Sequence, residues 1–430
     1  MTTILDFGAQ SNPEYLNTSA IQNAIDSCAQ KGGGRVIVPS GIYTTGSLSL
    51  RSNITLHLEA GAVIQGSAGR DDYSEGNAGI VALIGAEKCE NCAITGLGTI
   101  DGRGKVFWEA HKQWKEEQTK HGDPAREGTI QPLRPRALMF SRCNNVTVQG
   151  IRITNSAMWT THFLCCENVV VDSISVFNPP DSINTDGINP ESCRNVRINN
   201  CFIATGDDCI TLKAGYEDSD YGPCENIVIS NCITGHGHCG VGIGSEMSGG
   251  VRNVTISNCI FDATYRGIRL KTRRGRGGCV ENITVSNCVM NTVLFPFFID
   301  MFYYDFEKEK RVPVSDSTPC FKNIMVHDCI IDKAYKPVHL WGLPEMPVAD
   351  VTFNNVIIKA EKSILCKNAE SVWFRNCRVQ LSQDTNQLVC ENVKELAVDK
   401  TIAAVEGQIT DDEGQYKNAE LMKRLLDSEI

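Results

Sequence analysis

An asparagine followed by alternating apolar residues recurs through most of this chain. It reads Asn53-Ile54-Thr55-Leu56, Asn145-Val146-Thr147-Val148, Asn168-Val169-Val170-Val171 and Asn195-Val196-Arg197-Ile198. It continues as Asn226-Ile227-Val228-Ile229, Asn253-Val254-Thr255-Ile256, Asn282-Ile283-Thr284-Val285 and Asn323-Ile324-Met325-Val326. From Asn145 the intervals run from 23 to 31 residues and stretch to 41 before Asn323. Short strands of period two, rich in β-branched residues and repeating at this length, predict an all-β solenoid, the parallel β-helix. Parallel crossovers make it right-handed. Leucine-rich repeats share the period, but their Leu-x-x-Leu-x-Leu signature is absent. The asparagine is expected to stack at a turn, each amide bonding the layers above and below, with no ligand role.

A solenoid grows by stacking, so all 430 residues are read as one domain despite the length. Residues 1–50 form an N-terminal cap and the first strands. A capping helix is expected over Ala20 to Ala29, buried through Ile21, Ala24, Ile25 and Cys28, with Asn17-Thr18-Ser19 as N-cap residues. Arg35 to Pro39 reads as the first strand. Coils fill 51–400, with insertions at 102–136 and 291–319. The first carries a polar, helical stretch from Trp108 to Lys115; the second concentrates Phe295, Phe297, Phe298, Phe302, Tyr303 and Tyr304. Long insertions on a rigid scaffold tend to carry specificity. Residues 401–430 are read as a C-terminal cap with a helical tail from Asn418 to Leu426. Capped strand edges make a monomer the expected state.

A net charge of −10 argues against nucleic acid or an anionic membrane as partner, so an anionic substrate needs a local cationic cluster. No apolar run is long enough to span a bilayer. The start has neither a basic nor an apolar leader region, which gives the expectation of a cytoplasmic protein; export with a trimmed signal is the alternative. Many of the twenty cysteines recur at fixed points of the repeat. Cys143, Cys166, Cys193, Cys224 and Cys279 open it, and Cys201, Cys232, Cys259, Cys288 and Cys329 close it. That pattern suits buried, reduced thiols used as small hydrophobes. Cys89 and Cys92 lack a matching second pair, so no structural zinc site is expected.

Four segments about one repeat apart concentrate the chemistry: Asn184-Thr185-Asp186-Gly187, Gly206-Asp207-Asp208-Cys209, His236-Gly237-His238-Cys239 and Arg266-Gly267-Ile268-Arg269-Leu270-Lys271. Stacked coils would gather them on one face. Clustered carboxylates repel one another, and nothing structural demands them. Glycoside hydrolysis does need them, one carboxyl group to protonate the leaving oxygen and another to activate water or attack. Calcium binding is the rival use of three aspartates, but the nearby His, Arg and Lys work against a second cation. Alternation sends Ile268 and Leu270 inward and Arg269 and Lys271 outward. That outward pair, followed by Arg273, Arg274 and Arg276, fits a carboxylate-bearing substrate. Asp207 and Asp208 cannot both follow one strand face; at least one sits in a turn that Gly206 permits.

In these residues, from about Leu5 to Asn291, the sequence resembles glycoside hydrolase family 28, the polygalacturonases and their relatives. The resemblance implies a right-handed parallel β-helix and inverting, single-displacement hydrolysis of α-1,4-galacturonosyl bonds with neither metal nor cofactor. By the same resemblance Asp207 is the general acid, and Asp186 and Asp208 position and deprotonate water. Reading back from Ile243-Gly244-Ser245-Glu246 puts His238 at the active histidine position, with Cys239 in place of the usual glycine; His236 is the runner-up. Arg269 and Lys271 would grip the galacturonate carboxylate, with Asn184 and His236 among the substrate-binding residues. Tyr303 corresponds to the substrate-stacking tyrosine, and Trp159 and His162 match a cleft-lining segment. The expected partner is a galacturonate-containing poly- or oligosaccharide, attacked in exo mode because the motif variants resemble those of bacterial exo-enzymes and the 102–136 insertion is placed to block a cleft. Rival readings are a hydrolase of rhamnogalacturonan or another uronic-acid backbone, a β-helix pectate lyase, and a non-catalytic carbohydrate binder.

Overall fold

The recurrent asparagine does two jobs at once. At Asn53, Asn91, Asn145, Asn195, Asn226, Asn253 and Asn282 the backbone φ lies between 55° and 62°. That left-handed conformation is costly for most L-residues and tolerated by asparagine, and it turns the chain into each strand. The side-chain amides then bond rung to rung. Asn91 Nδ2 donates to Asn53 Oδ1 at 2.9 Å and Asn145 Nδ2 to Asn91 Oδ1 at 3.1 Å. Further along, Asn226 donates to Asn195, Asn253 to Asn226 and Asn282 to Asn253, at 3.0 to 3.2 Å. Asn91 fills the gap between Asn53 and Asn145. Its coil escapes the sequence motif because Cys92 and Ala93 interrupt the β-branched pattern.

The computed structural model describes residues 2–74, 80–120, 132–217, 219–305, 307, 310–399 and 402–407. The chain divides into two units, Met1–Asn189 with Ala204–Asp207, and Pro190–Ile203 with Asp208–Ile430. Each is built from parallel strands in register. In the first, Val36, Leu56, Ile94, Val148 and Val171 pair in succession, and all are fully buried. Its second sheet aligns Tyr43, Ile64, Ile100, Ile153 and Val176. In the second unit Ile198, Ile229, Ile256, Val285, Val326, Phe353 and Phe374 form the inner row. Each unit therefore has a core one side chain wide that is repeated along the stack, the organisation of a parallel β-helix.

The cysteines fill the same interior. Cys201, Cys232, Cys259, Cys288 and Cys329 are buried, and each thiol donates to the carbonyl two residues earlier at 3.0 to 3.3 Å. Eighteen cysteines are free, but Cys279 and Cys320 form a disulfide. The expectation of uniformly reduced thiols is corrected there. The two residues are register partners on adjacent strands, so their Cα atoms lie 4.5 Å apart without any loop to bring them together.

Other boundaries shift as well. Two short strands, Thr2–Thr3 and Asn12–Leu16, precede the expected first strand and pair with Gly34–Val38 and Gly41–Thr45. Helix α1 spans Thr18–Gln30 and buries the predicted Ile21, Ala24, Ile25 and Cys28. Asn17 is its N-cap residue but makes no capping bond; its side chain instead ties down Gln10 and Tyr15. Helix α2, Lys105–Lys120, occupies the first insertion. The second insertion starts later than expected, because Phe295–Asp300 is a regular strand pairing with Thr264–Lys271 and Val338–Trp341. A run of buried phenylalanines resembles a loop core in sequence but here serves both faces of a rung. The predicted tail helix at Asn418 to Leu426 lies outside the described residues, among which no helix is long and apolar enough to cross a membrane.

Replacing Asn253 with alanine removes both rung bonds and forces a left-handed alanine. The expected loss is about 2 kcal/mol. Asn253→Gly, which restores only the backbone freedom, should lose roughly half as much. Urea midpoints at unchanged slope measure both; equal losses would show that the backbone conformation is not part of the cost.

Candidate active site

In the first unit the loop ahead of Ile188 is organised by Asn178, a fully buried residue that sequence reasoning did not single out. Its Oδ1 accepts from Ser156 N at 2.8 Å, and its Nδ2 donates to Thr160 Oγ1 and to Thr185 O. One amide thereby fixes the loop carrying Trp159 and the loop carrying Asp186. Asp186 is 4% exposed; its carboxylate accepts from Asn189 Nδ2 at 2.9 Å, and its carbonyl accepts from Thr160 N. Asn184 approaches Asp207 Oδ2 at 3.4 Å through Nδ2, while its Oδ1 accepts from Arg134 at 3.1 Å. Arg134 comes from the far end of the α2 insertion, so that insertion serves the site directly. Only its position within the insertion could have marked it in the sequence.

Asp207 stands in a bend where Thr205 Oγ1 donates to the Asp207 carbonyl at 2.7 Å. Gly206 is needed for space rather than for an unusual φ, since a Cβ there would lie 2.1 Å from Ser182 O. His162 is buried, with Trp159 edge-on at 4.9 Å and the Arg136 guanidinium over the Trp159 ring.

The second unit centres on Asp208, which is 2% exposed. Lys271 Nζ lies 2.8 Å from its Oδ2, and the Cys239 thiol donates to Oδ1 at 2.8 Å. Between Asp208 and the Lys271 strand runs Gly237–Gly244, whose outward positions opposite Arg269 and Lys271 are Gly242 and Gly244. These glycines leave the rung bare, and the lysine reaches across it. A Cβ on Gly242 would sit 3.1 Å from Asp208 Oδ2 and 3.0 Å from Cys239 Sγ. Cys239, which replaces a glycine in the resemblance, is thus a direct partner of Asp208 and not a spacer.

Burial alone would raise the Asp208 pKa. The Lys271 and Arg269 charges, with hydrogen bonds from Cys239 and Lys271, outweigh it and hold the carboxyl well below its usual range. Burial would likewise lower Lys271, but Asp208 turns the shift upward. Burial and the Asp208 charge push the Cys239 thiol well up, so it stays protonated and donates. The site therefore favours the ionised form of one carboxylate in a poorly solvated setting.

Arg269 and Lys271 lie 5.4 and 5.6 Å from the Tyr303 ring, so the predicted cation pair and the predicted tyrosine do come together. Arg269 also faces Phe298. His238 is exposed and stacks on Tyr265 at 5.8 Å; His236 is half-buried, and its carbonyl accepts from the Cys209 thiol. The three following arginines do not stand ready for substrate. Arg273 and Arg276 pair with Glu217, and Arg274 binds Glu345 at 2.6 and 3.1 Å and Asp305 at 3.0 Å. Arg274 also donates to the Glu307 and Lys310 carbonyls, pinning the segment that follows Tyr303 and Tyr304. Carboxylates more than thirty residues away in sequence claim these cations, which a local charge pattern cannot reveal. Among the described residues no group of three or more His, Cys, Asp or Glu is placed to hold a metal ion.

A β-helix that buries Asp186 and Asp208, the latter paired with Lys271, holds the kind of carboxylates that glycoside hydrolysis needs. The family model for glycosyl hydrolases family 28 matches residues 28–372, and the chain belongs to that family. It is 31% identical to a probable polygalacturonase of Vitis vinifera, over 83% of this chain and 74% of that protein. It is 29% identical to an endo-polygalacturonase of Pectobacterium carotovorum, over 82% and 86%. Among solved structures, the exopolygalacturonase of Thermotoga maritima superposes with a TM-score of 0.73 at 30% identity, covering 91% of both chains. The family 28 exopolygalacturonase of Yersinia enterocolitica gives 0.77 at 25% identity, over 95% of this chain and 79% of that one. The expected right-handed parallel β-helix stands.

Lys271→Met leaves the Asp208 carboxylate buried without its cation and should cost about 3–5 kcal/mol at pH 7. Asp208 has a depressed folded pKa, so its contribution is complete above the unfolded value near ~3.9 and is lost as pH falls through the folded value. Loss of the cation leaves burial to raise the Asp208 pKa in the variant, so the gap between wild type and Lys271→Met in urea denaturation should be widest near pH 7 and shrink as pH falls through that raised value. A gap that stays constant from pH 7 to below pH 4 would mean that the pair is not the source of the difference.

Proposed function

We propose that this enzyme hydrolyses α-1,4-galacturonosyl linkages of pectic galacturonan, removing residues from a chain end with inversion at the anomeric carbon. Asp207 gives its carboxyl proton to the glycosidic oxygen as the C1–O bond breaks. Asp186 and Asp208 orient the attacking water and take its proton. Arg269 and Lys271 neutralise the galacturonate carboxylate, Tyr303 provides the ring face, and Asn184, Trp159 and His162 line the cleft. His238, with His236 as the alternative, tunes a catalytic aspartate by hydrogen bonding.

The observation that carries the reading is Tyr303 lying over both Arg269 and Lys271 while Lys271 holds Asp208 ionised. Two cations beside one aromatic face suit an anionic sugar ring. A carboxylate held ionised near neutral pH does not suit the acid role, and the family resemblance is what gives that role to Asp207. The exo mode is supported by the likeness to two exopolygalacturonases along nearly the whole chain.

The test is product analysis on trigalacturonate in ¹⁸O-water, with wild type beside Asp207→Asn. Wild type should give monomer and dimer, with the new oxygen only on the product whose anomeric carbon was attacked, and early proton spectra should show that newly formed anomer as β. Asp207→Asn should lower kcat by about 10²–10⁴. Unsaturated products absorbing in the near ultraviolet would identify a lyase and overturn these roles.

A further inference from the structure

A cavity of about 330 Å³ opens on the outward face of the first unit. Its floor is the rung on which Ser49, Gly85 and Met139 are register partners. We propose that it is a distal binding site for one uronic-acid residue of a polysaccharide chain, an inference that rests on the galacturonan reading above.

Position is the first argument. Met139 pairs with His162 on the next strand, so Gly85 and His162 share one sheet face two strands apart, ~10 Å at β spacing. Thr160, just before His162, donates its N–H to the Asp186 carbonyl. The cavity thus lies on the face that leads to Asp186, within reach of a chain bound there.

Chemistry is the second. The lining combines serine hydroxyls with Arg51, Glu87 and the Met139 side chain. Arg51 is anchored through Nε by Asp26 at 2.9 Å, which leaves its other N–H groups for a carboxylate. Glu87 accepts from hydroxyls, and Met139 offers an apolar surface for the C–H face of a sugar. Ser141, at 2% exposure, lines the cavity with a hydroxyl that has no hydrogen-bond partner. Buried hydroxyls are normally bonded, and rotation of the Ser141 side chain toward the cavity would let a sugar hydroxyl complete this one.

Gly85 is the third. A Cβ there would meet only Met139 O at 3.7 Å and Leu48 O at 3.9 Å, ordinary contacts, and its φ is not left-handed. The fold does not require glycine at this point, unlike Gly206 or Gly242. What the missing side chain supplies is the open floor of the cavity.

Gly85→Val fills that floor at a strand position that accepts β-branched residues. For hydrolysis, KM on octagalacturonate should rise at least tenfold with kcat unchanged, while digalacturonate is affected less than twofold. Equal effects on both lengths, or none, would overturn the proposal. Occupancy is read separately by the Met139 methyl resonance in full-length Asp207→Asn protein carrying ¹³C-methyl methionine. Octagalacturonate should shift it, and Gly85→Val or Ser141→Ala should weaken the shift. An unmoved Met139 methyl at saturating octagalacturonate would sink the site even if hydrolysis proceeds. A shift without any hydrolysis in wild type would support the site and reject the catalytic reading alone.

Discussion

The rung-to-rung amide bond at the left-handed asparagine helps hold everything else in register. The buried inner row already disfavours a one-residue slip, which would exchange inner and outer faces, and the amide ladder adds to that penalty. An asparagine that both adopts the turn and bonds its counterpart penalises such a slip at the coils of Asn53, Asn91 and Asn145 and again from Asn195 to Asn323. With register held, Val36, Leu56, Ile94 and Val148 fall on one buried row. On the opposite parity, Gly242 and Arg269 face out together. The active face is therefore a by-product of the same alignment that builds the interior.

On that face, electrostatics depends on what is missing as much as on what is present. Gly242 and Gly244 strip one rung of side chains, and only across a bare rung can Lys271 reach Asp208. Cys239 completes the arrangement because a thiol kept protonated by its surroundings is a donor that adds no charge. A second cation in its place would bind the carboxylate more strongly but compete with substrate for the same field.

How much of this was legible in the sequence follows from the range of each interaction. The repeat, the inward and outward parity of Ile268 to Lys271, the helical insertion and the meeting of Tyr303 with Arg269 and Lys271 depend on local pattern or on motif resemblance, and they are readable. Asn91 was hidden by Cys92 and Ala93 in its strand. Arg134 and Asn178 were not found, and Cys239 was noted only as a replaced glycine, because each acts on a residue of another coil. The same limit explains the arginines read as substrate ligands: Glu345 lies 71 residues from Arg274, and no spacing rule links them. The Cys279–Cys320 disulfide is another case, since register made neighbours of two cysteines that composition could only count.

The Asp208–Lys271 pair also bears on why the site is charged at all. Desolvating two ions costs several kcal/mol each, and replacing such a pair by apolar residues of similar size is often neutral or stabilising. Packing therefore gives no reason to keep Asp208 ionised inside the stack, and the surrounding coils show that apolar alternatives fit the architecture readily. Removing one partner would be far more damaging than removing both, because the survivor is left charged and unsolvated. The pair makes sense as a device that keeps a carboxylate ionised while shielding it from water until substrate arrives. Its Lys271 partner also lies over the Tyr303 ring, and in the proposed reading a bound uronate would draw on the same cation. Substrate binding would then loosen the hold on Asp208 and make the carboxylate more basic as the reaction begins.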